Sequence, residues 1–178
     1  MSAYRITRIV ATAELGCHLS LERILNDCEL ARPTRCFSGI TLRSDSRSHC
    51  RVHANGKIIV NGCTTTEDAR KLAEVYCNII TALGFPDAAI QNYKVVNIVA
   101  CVDFKKRICL TSLAKRMEPY ARNVKYNQEF FSGMSAELSE ATCTVFHTGK
   151  CNILGAKDLE DIEATLLELN IVAGLFVF

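Results

Sequence analysis

Apolar and polar positions pass through the same succession of periods twice along the 178 residues of this chain. Residues 5–14 alternate at the two-residue period of a half-buried strand. A short helical run over 20–28 follows, with Ser20 placed to cap it. Residues 36–43, 48–54 and 57–61 read as three further strands, and Asn55-Gly56 is a strong hairpin signal between the last two. Over 66–83 the period becomes helical: Ala69, Leu72, Ala73, Tyr76, Ile79, Ile80 and Leu83 share a face, and Gly84 ends it. The second half repeats the order, with a strand over 92–103, a short helix near 110–117, strands over 131–137, 141–147 and 150–154, and a helix from about 158. Phe85-Pro86-Asp87 marks the joint between a first unit, 1–88, and a second, 89–178.

Residue identities repeat along with the periods. Gly56-Lys57-Ile58-Ile59-Val60-Asn61-Gly62-Cys63 has a counterpart 93 residues on in Gly149-Lys150-Cys151-Asn152-Ile153-Leu154-Gly155-Ala156. Ile9-Val10-Ala11 returns as Ile98-Val99-Ala100. One supersecondary unit used twice, β-α-β-β-β-α, predicts an α+β fold: an antiparallel sheet of about ten strands with two long and two short helices on one face. Parity sorts the strands. Val96, Ile98, Ala100, Val102, Ile58, Val60, Cys143 and Val145 suit the helix-covered side, while Asn97, Val99, Ile59, Asn61, Thr144 and Phe146 point away. An open face carrying Val, Phe, Thr and Asn suits a broad, partly apolar ligand.

Composition narrows the class. At 49% apolar residues the chain can bury a core, yet no run of about 18 apolar residues is long enough to span a membrane, and the start lacks the apolar stretch of a signal peptide. Ten cysteines without a Cys-x-x-Cys pair, mostly within apolar segments, predict buried reduced thiols in a cytosolic or nuclear protein. The net charge of +2 points at no partner. Its distribution is more telling: Arg32, Arg35, Arg43, Arg47 and Arg51 make 32–51 basic against Asp45 alone, and several alternate with apolar residues at strand spacing. Asp158, Glu160, Asp161, Glu163 and Glu168 read as a solvated helix face. His49, Cys50 and His53, with Cys36 nearby, lack metal-ligand spacing, and parity divides Cys50 from His53, so no metal is expected. No base is set beside any cysteine nucleophile, so neither an enzyme nor a cofactor is expected. Ile171–Phe178 reads as a helix end packing on the sheet or on a partner.

Several runs, in order, resemble the TATA-box-binding protein family: Leu15-Gly16-Cys17-His18-Leu19, Leu83-Gly84-Phe85-Pro86, Asn97-Ile98-Val99, Tyr126-Asn127-Gln128-Glu129-Phe130-Phe131-Ser132-Gly133, and Thr148-Gly149-Lys150 with Gly155-Ala156-Lys157. The resemblance implies a saddle whose concave sheet lies in the DNA minor groove, with phenylalanine pairs wedged into base steps so that the duplex bends. It places the second-half wedges at Phe131 and Phe146, a groove asparagine at Asn97 and an apolar contact at Val99, with Thr144, Asn152 and Leu154 at altered contact positions. In the first half it places wedges at Cys36 and His53, with Phe37 as the alternative to Cys36 if the register slips by one. Arg8 replaces the groove asparagine, Arg51 a leucine and Asn61 a threonine, while Val10 and Ile59 stay apolar. Lys57, Lys150 and Lys157 match phosphate-facing lysines, and Thr64 replaces the fourth.

The implied partners are double-stranded promoter DNA, a factor IIB-like protein at Asn127, Glu129 and Phe130, a factor IIA-like protein around Arg43 and Arg47, and RNA polymerase initiation complexes in the nucleus. Self-association is left open. The first long helix carries only Arg70 and Lys71, which weakens the match to the family's usual partners there. Two functions follow: a promoter-binding initiation factor, or a protein-interaction scaffold of an initiation complex with weak or non-TATA DNA binding.

Overall fold

The computed structural model describes residues 4–34, 38–44 and 47–174. Cys36 and Phe37, where a first-half wedge is expected, lie outside the described residues, as does the segment after Gly174. Two compact units emerge, Arg8–Val96 and Met1–Thr7 with Asn97–Phe178.

In the Arg8–Val96 unit the elements are β1 (Arg5–Glu14, its first three residues belonging to the other unit), α1 (Leu21–Asp27), β2 (Ala31–Pro33), β3 (Ile40–Leu42), β4 (His49–Val52), β5 (Lys57–Cys63) and α2 (Thr66–Ala82). The strands lie antiparallel in the order β2-β3-β4-β5-β1. The hairpin between β4 and β5 turns at Gly56, whose φ of 82° favours glycine and whose absent Cβ leaves room for the Cys17 carbonyl. Asn55 Oδ1 accepts from the Lys57 N–H at 3.1 Å and closes the turn. Thr65 starts α2 by accepting the Asp68 N–H on its hydroxyl at 3.1 Å, a cap worth about 1 kcal/mol.

Ile9, Ala11, Ile40, Leu42, Val52, Ile58 and Val60 fill the covered side of this unit, with Ala69, Ala73, Tyr76 and Ile80 buried on α2. Burying Tyr76 completely requires a partner for its hydroxyl, and the Ser44 N–H donates to it at 3.3 Å.

The other unit holds α3 (Leu110–Met117), β7 (Asn123–Lys125), β8 (Gly133–Glu137), β9 (Thr142–Phe146), β10 (Lys150–Ala156) and α4 (Leu159–Ala173). It also takes the Asn97–Asp103 part of β6 (Gln91–Asp103). Its strands run antiparallel in the order β6-β10-β9-β8-β7. Ile98, Ala100, Val102, Met134, Ala136, Val145 and Ile153 are buried, as are Leu113 and Met117 of α3 and Ile162, Leu166 and Leu169 of α4. Asp158 caps α4 by accepting the Asp161 N–H at 2.8 Å.

Of the roughly ten strands expected, the sequence pattern locates eight, and the structure supplies the other two as β2 and β7 at the outer end of each unit's strand order. Each has three residues, too few to show alternation. The strand expected over 131–137 starts late, at Gly133, and the described part of the one expected over 36–43 starts at Ile40, residues 36 and 37 lying outside the described residues. Nine cysteines are free thiols among the described residues. Five are buried, whereas Cys109 is exposed at the N-cap of α3. Ile171 is 70% exposed although Val172 and Ala173 beside it are buried. No helix of the described residues is long and apolar enough to cross a membrane.

Candidate nucleic-acid interface

Parity holds on both units, so the face away from the helices is built from alternate strand residues. On the unit containing Asn97–Gly174, Lys125, Ser135, Thr144, Asn152 and Cys101 form one cross-strand row. Phe146 lies opposite Gly133, and Phe131 meets Phe146 edge to face with ring centroids 5.9 Å apart at 69°. Phe131 is 52% exposed. Such a pair is worth about 0.5–1.5 kcal/mol beyond its buried area, enough to hold the exposed Phe131 ring in one arrangement against Phe146. Gly133 makes the seat: a Cβ there would lie 2.8 Å from Phe131 Cε1 and 3.1 Å from both Phe146 Cε1 and Thr144 Cγ2. Beside the rings Ser132, Phe146, His147, Thr148, Lys150 and Asn152 line an open depression of about 370 Å³.

The loop that presents Phe131 is tied by its own backbone. The Phe130 and Phe131 N–H groups donate to the Asn127 carbonyl at 3.2 and 3.0 Å, and the Glu129 N–H donates to Asn127 Oδ1 at 3.0 Å. Phe130, at 86% exposure, projects from the same turn. Asn97 Oδ1 accepts the Gly155 N–H at 2.8 Å, which fixes the amide with its nitrogen as the outward donor. Val99 is half-buried and Leu154 exposed, and Lys150 and Lys157 are exposed.

The Arg8–Val96 unit has the same rows with other chemistry. Arg32, Thr41, Arg51, Ile59 and Thr12 correspond to the row just described, and His49, Asn61 and Val10 form the next. Arg8, Arg51 and Lys57 are exposed, while Val10, His53, Ile59 and Asn61 are half-buried. Arg43 and Arg47 are exposed at the two ends of the β3–β4 connection. Partial burial lowers the pKa of His49, and the guanidinium groups of Arg43, Arg51 and Arg8 lower it further. Among the described residues no group of three or more His, Cys, Asp or Glu side chains is arranged to hold a metal ion.

Arg32, Thr41 and His49, and in the other unit Lys125 and Ser135, belong to these faces without having been singled out as contacts. Arg32 and Lys125 sit on β2 and β7, and their common offset of 93 was the available signal.

The chain matches a family model described as transcription factor TFIID, or TATA-binding protein, over residues 3–83 and 92–170. It is 32% identical over 162 residues to a protein of Entamoeba histolytica named TATA-box-binding protein 2, covering 88% of this chain and 74% of the relative. It is 31% identical over 164 residues to TATA-box-binding protein 1 of Triticum aestivum, covering 89% and 68%. The structure matches Methanococcus jannaschii TBP with a TM-score of 0.78 over 97% of this chain and 99% of that one, at 22% identity, and so shares its fold.

Proposed function

Because this chain belongs to the TATA-binding protein family, we propose that it is a nuclear transcription initiation factor that binds double-stranded promoter DNA in the minor groove, bends it and nucleates an initiation complex. The observation that carries this reading is the Phe131–Phe146 pair, held edge to face over Gly133, with Phe131 open to solvent and Phe146 half-buried. An exposed ring backed by a half-buried one on a partly polar strand face costs solvation unless something apolar covers it, and a partly unstacked base step is such a surface. Unstacking costs a few kcal/mol per step, offset by contacts the bent duplex makes with more protein surface.

The other contacts follow from the chemistry of the groove. The Asn97 amide nitrogen presents donors, which suits the adenine N3 and thymine O2 acceptors of the minor groove. Val99, Thr144, Asn152 and Leu154 supply the surface between, and Lys150 and Lys157 meet phosphates. In the half spanning 1–88, Val10, Ile59 and Asn61 play the groove-contact role and Lys57 a phosphate role, with Arg8 and Arg51 adding charge. Counted back from Gly39 as Phe131 is from Gly133, the first-half counterpart of Phe131 is Phe37, with Cys36 one residue before it. His53 stands where Phe146 does, and its smaller ring separates bases less. Asn127, Glu129 and Phe130 form a turn for a factor IIB-like partner, and Arg43 and Arg47 serve a factor IIA-like partner.

A salt-series titration with a TATA-containing duplex and a scrambled one, read by fluorescence anisotropy, tests the reading. Tighter binding to the TATA duplex, with a bend seen by energy transfer between its ends, is the expected result. A steep salt slope with equal affinity for both duplexes would reduce the interaction to phosphate contacts. No binding at low salt would leave the protein as a scaffold for other initiation factors.

A further inference from the structure

At four matched positions the two units carry different chemistry. Arg51 pairs with Ile59 as Thr144 pairs with Asn152, and His49 pairs with Asn61 as Thr142 pairs with Leu154. Arg43 follows Leu42 of β3 as Glu137 follows Ala136 of β8, and Arg8 precedes Val10 by two residues as Asn97 precedes Val99. One unit therefore has three arginines and a histidine where the other has one carboxylate and three neutral side chains. The same strand frame forms with either set, so folding does not demand the cations. Placing them together costs repulsion, and it converges on His49, where partial burial first and then all three guanidinium groups oppose a proton.

We propose that Arg8, Arg43, His49 and Arg51 act as one proton-linked centre for a nucleic-acid phosphate, in which His49 gains a proton as the phosphate arrives. The inference rests on the DNA-binding reading above. The groups facing the imidazole are Arg8 from β1, Arg43 beyond β3, Arg51 along β4 and the neutral Asn61 opposite on β5. Arg47 and Ser48 precede it in the chain, and Asp45 lies outside the described residues. In the free protein partial burial, and after it the three cations, disfavour the imidazolium of His49. A phosphodiester, anionic around neutral pH, cancels part of their field and makes the imidazolium favourable.

The sign of the linkage follows. The free-state pKa lies below the ordinary histidine value, and on the proposal the charge of the bound phosphate raises it. Affinity therefore rises as pH falls through the bound-state pKa and levels off below the free-state pKa. The steepest response, for one proton taken up, is about tenfold per pH unit.

The test is an anisotropy titration of a TATA-containing duplex at fixed salt, from about pH 8 to about pH 6, for wild type, His49→Gln and His18→Gln. Wild type and His18→Gln should tighten severalfold over that range, and His49→Gln should change less than about twofold. Calorimetry at one pH in two buffers of different ionisation enthalpy should show net proton uptake by the wild type and none by His49→Gln. Thermal unfolding confirms that the variant folds. Should it not, Arg43→Gln serves instead: it should reduce the proton uptake and lower the salt slope by about one. Equal pH responses in wild type and His49→Gln, or binding without proton uptake, would overturn the centre and leave the DNA-binding reading standing. No DNA binding by the wild type would overturn both.

Discussion

Replacing Gly133 by alanine separates the seat of the aromatic pair from the stability of the fold. The added Cβ would lie 2.8 Å from Phe131 Cε1 and 3.1 Å from Phe146 Cε1 and Thr144 Cγ2. Gly133 does not have a positive φ, so alanine brings no backbone strain there. All three atoms in the way are side-chain atoms, and the nearest belongs to a ring that is 52% exposed. The ring can swing outward, so the cost is the edge-to-face contact, about 0.5–1.5 kcal/mol, and not the larger overpacking penalty of a closed core. Gly133→Ala should therefore lower unfolding free energy by about 1 kcal/mol in urea denaturation. Bending, read by energy transfer across a labelled duplex, should fall much further, because the two rings no longer share one orientation. Wild-type bending in Gly133→Ala would refute the seating argument. A stability loss above about 3 kcal/mol would show that the rings are part of a rigid core.

Three other outcomes follow from the structure. Phe146→Ala should reduce DNA bending much more than His53→Ala, and equal losses in the same energy-transfer assay would mean that the two faces engage DNA alike. Cys109, exposed and with its pKa lowered by its hydrogen bond with Ser112, should react first with a thiol reagent in the native protein. Cys50, whose thiol burial pushes up to about 12, should react only on unfolding, when all ten thiols become countable; early loss of Cys50 by mass spectrometry would contradict its burial. Thr65→Ala, which removes the acceptor for the Asp68 N–H, should cost about 1 kcal/mol by chemical denaturation, and no change would mean that water replaces the cap.

The long elements were legible because period and punctuation agreed. Seven apolar positions on one face and Gly84 delimit α2 to within a residue or two, and Asn55-Gly56 fixes the register of β4 against β5. The strands β2 and β7 were not legible, since three residues at an edge are too few to hold an alternation, and β2 buries only Ala31. That omission hid Arg32 and Lys125, which complete the outward rows. Phe131 and Phe146 carried a recognisable pattern, but their contact depends on Gly133, whose role appears only when β8 and β9 are paired. His49 was weighed only as a metal ligand. Its surroundings come from Arg8 and Arg43, 41 and 6 residues away in the chain, and no local pattern announces them.

A duplicated protein with two identical faces would read a DNA site and its reverse complement equally well, and so could not tell upstream from downstream. In this chain Arg51 answers to Thr144, Arg8 to Asn97 and His53 to Phe146, so if it lies on DNA as proposed, the two ways of lying on a duplex differ in energy. Every 1.4 kcal/mol of that difference is about a tenfold bias toward one direction. On the proposed function, unlike halves give the bound protein a polarity, and with it a direction for whatever assembles on it.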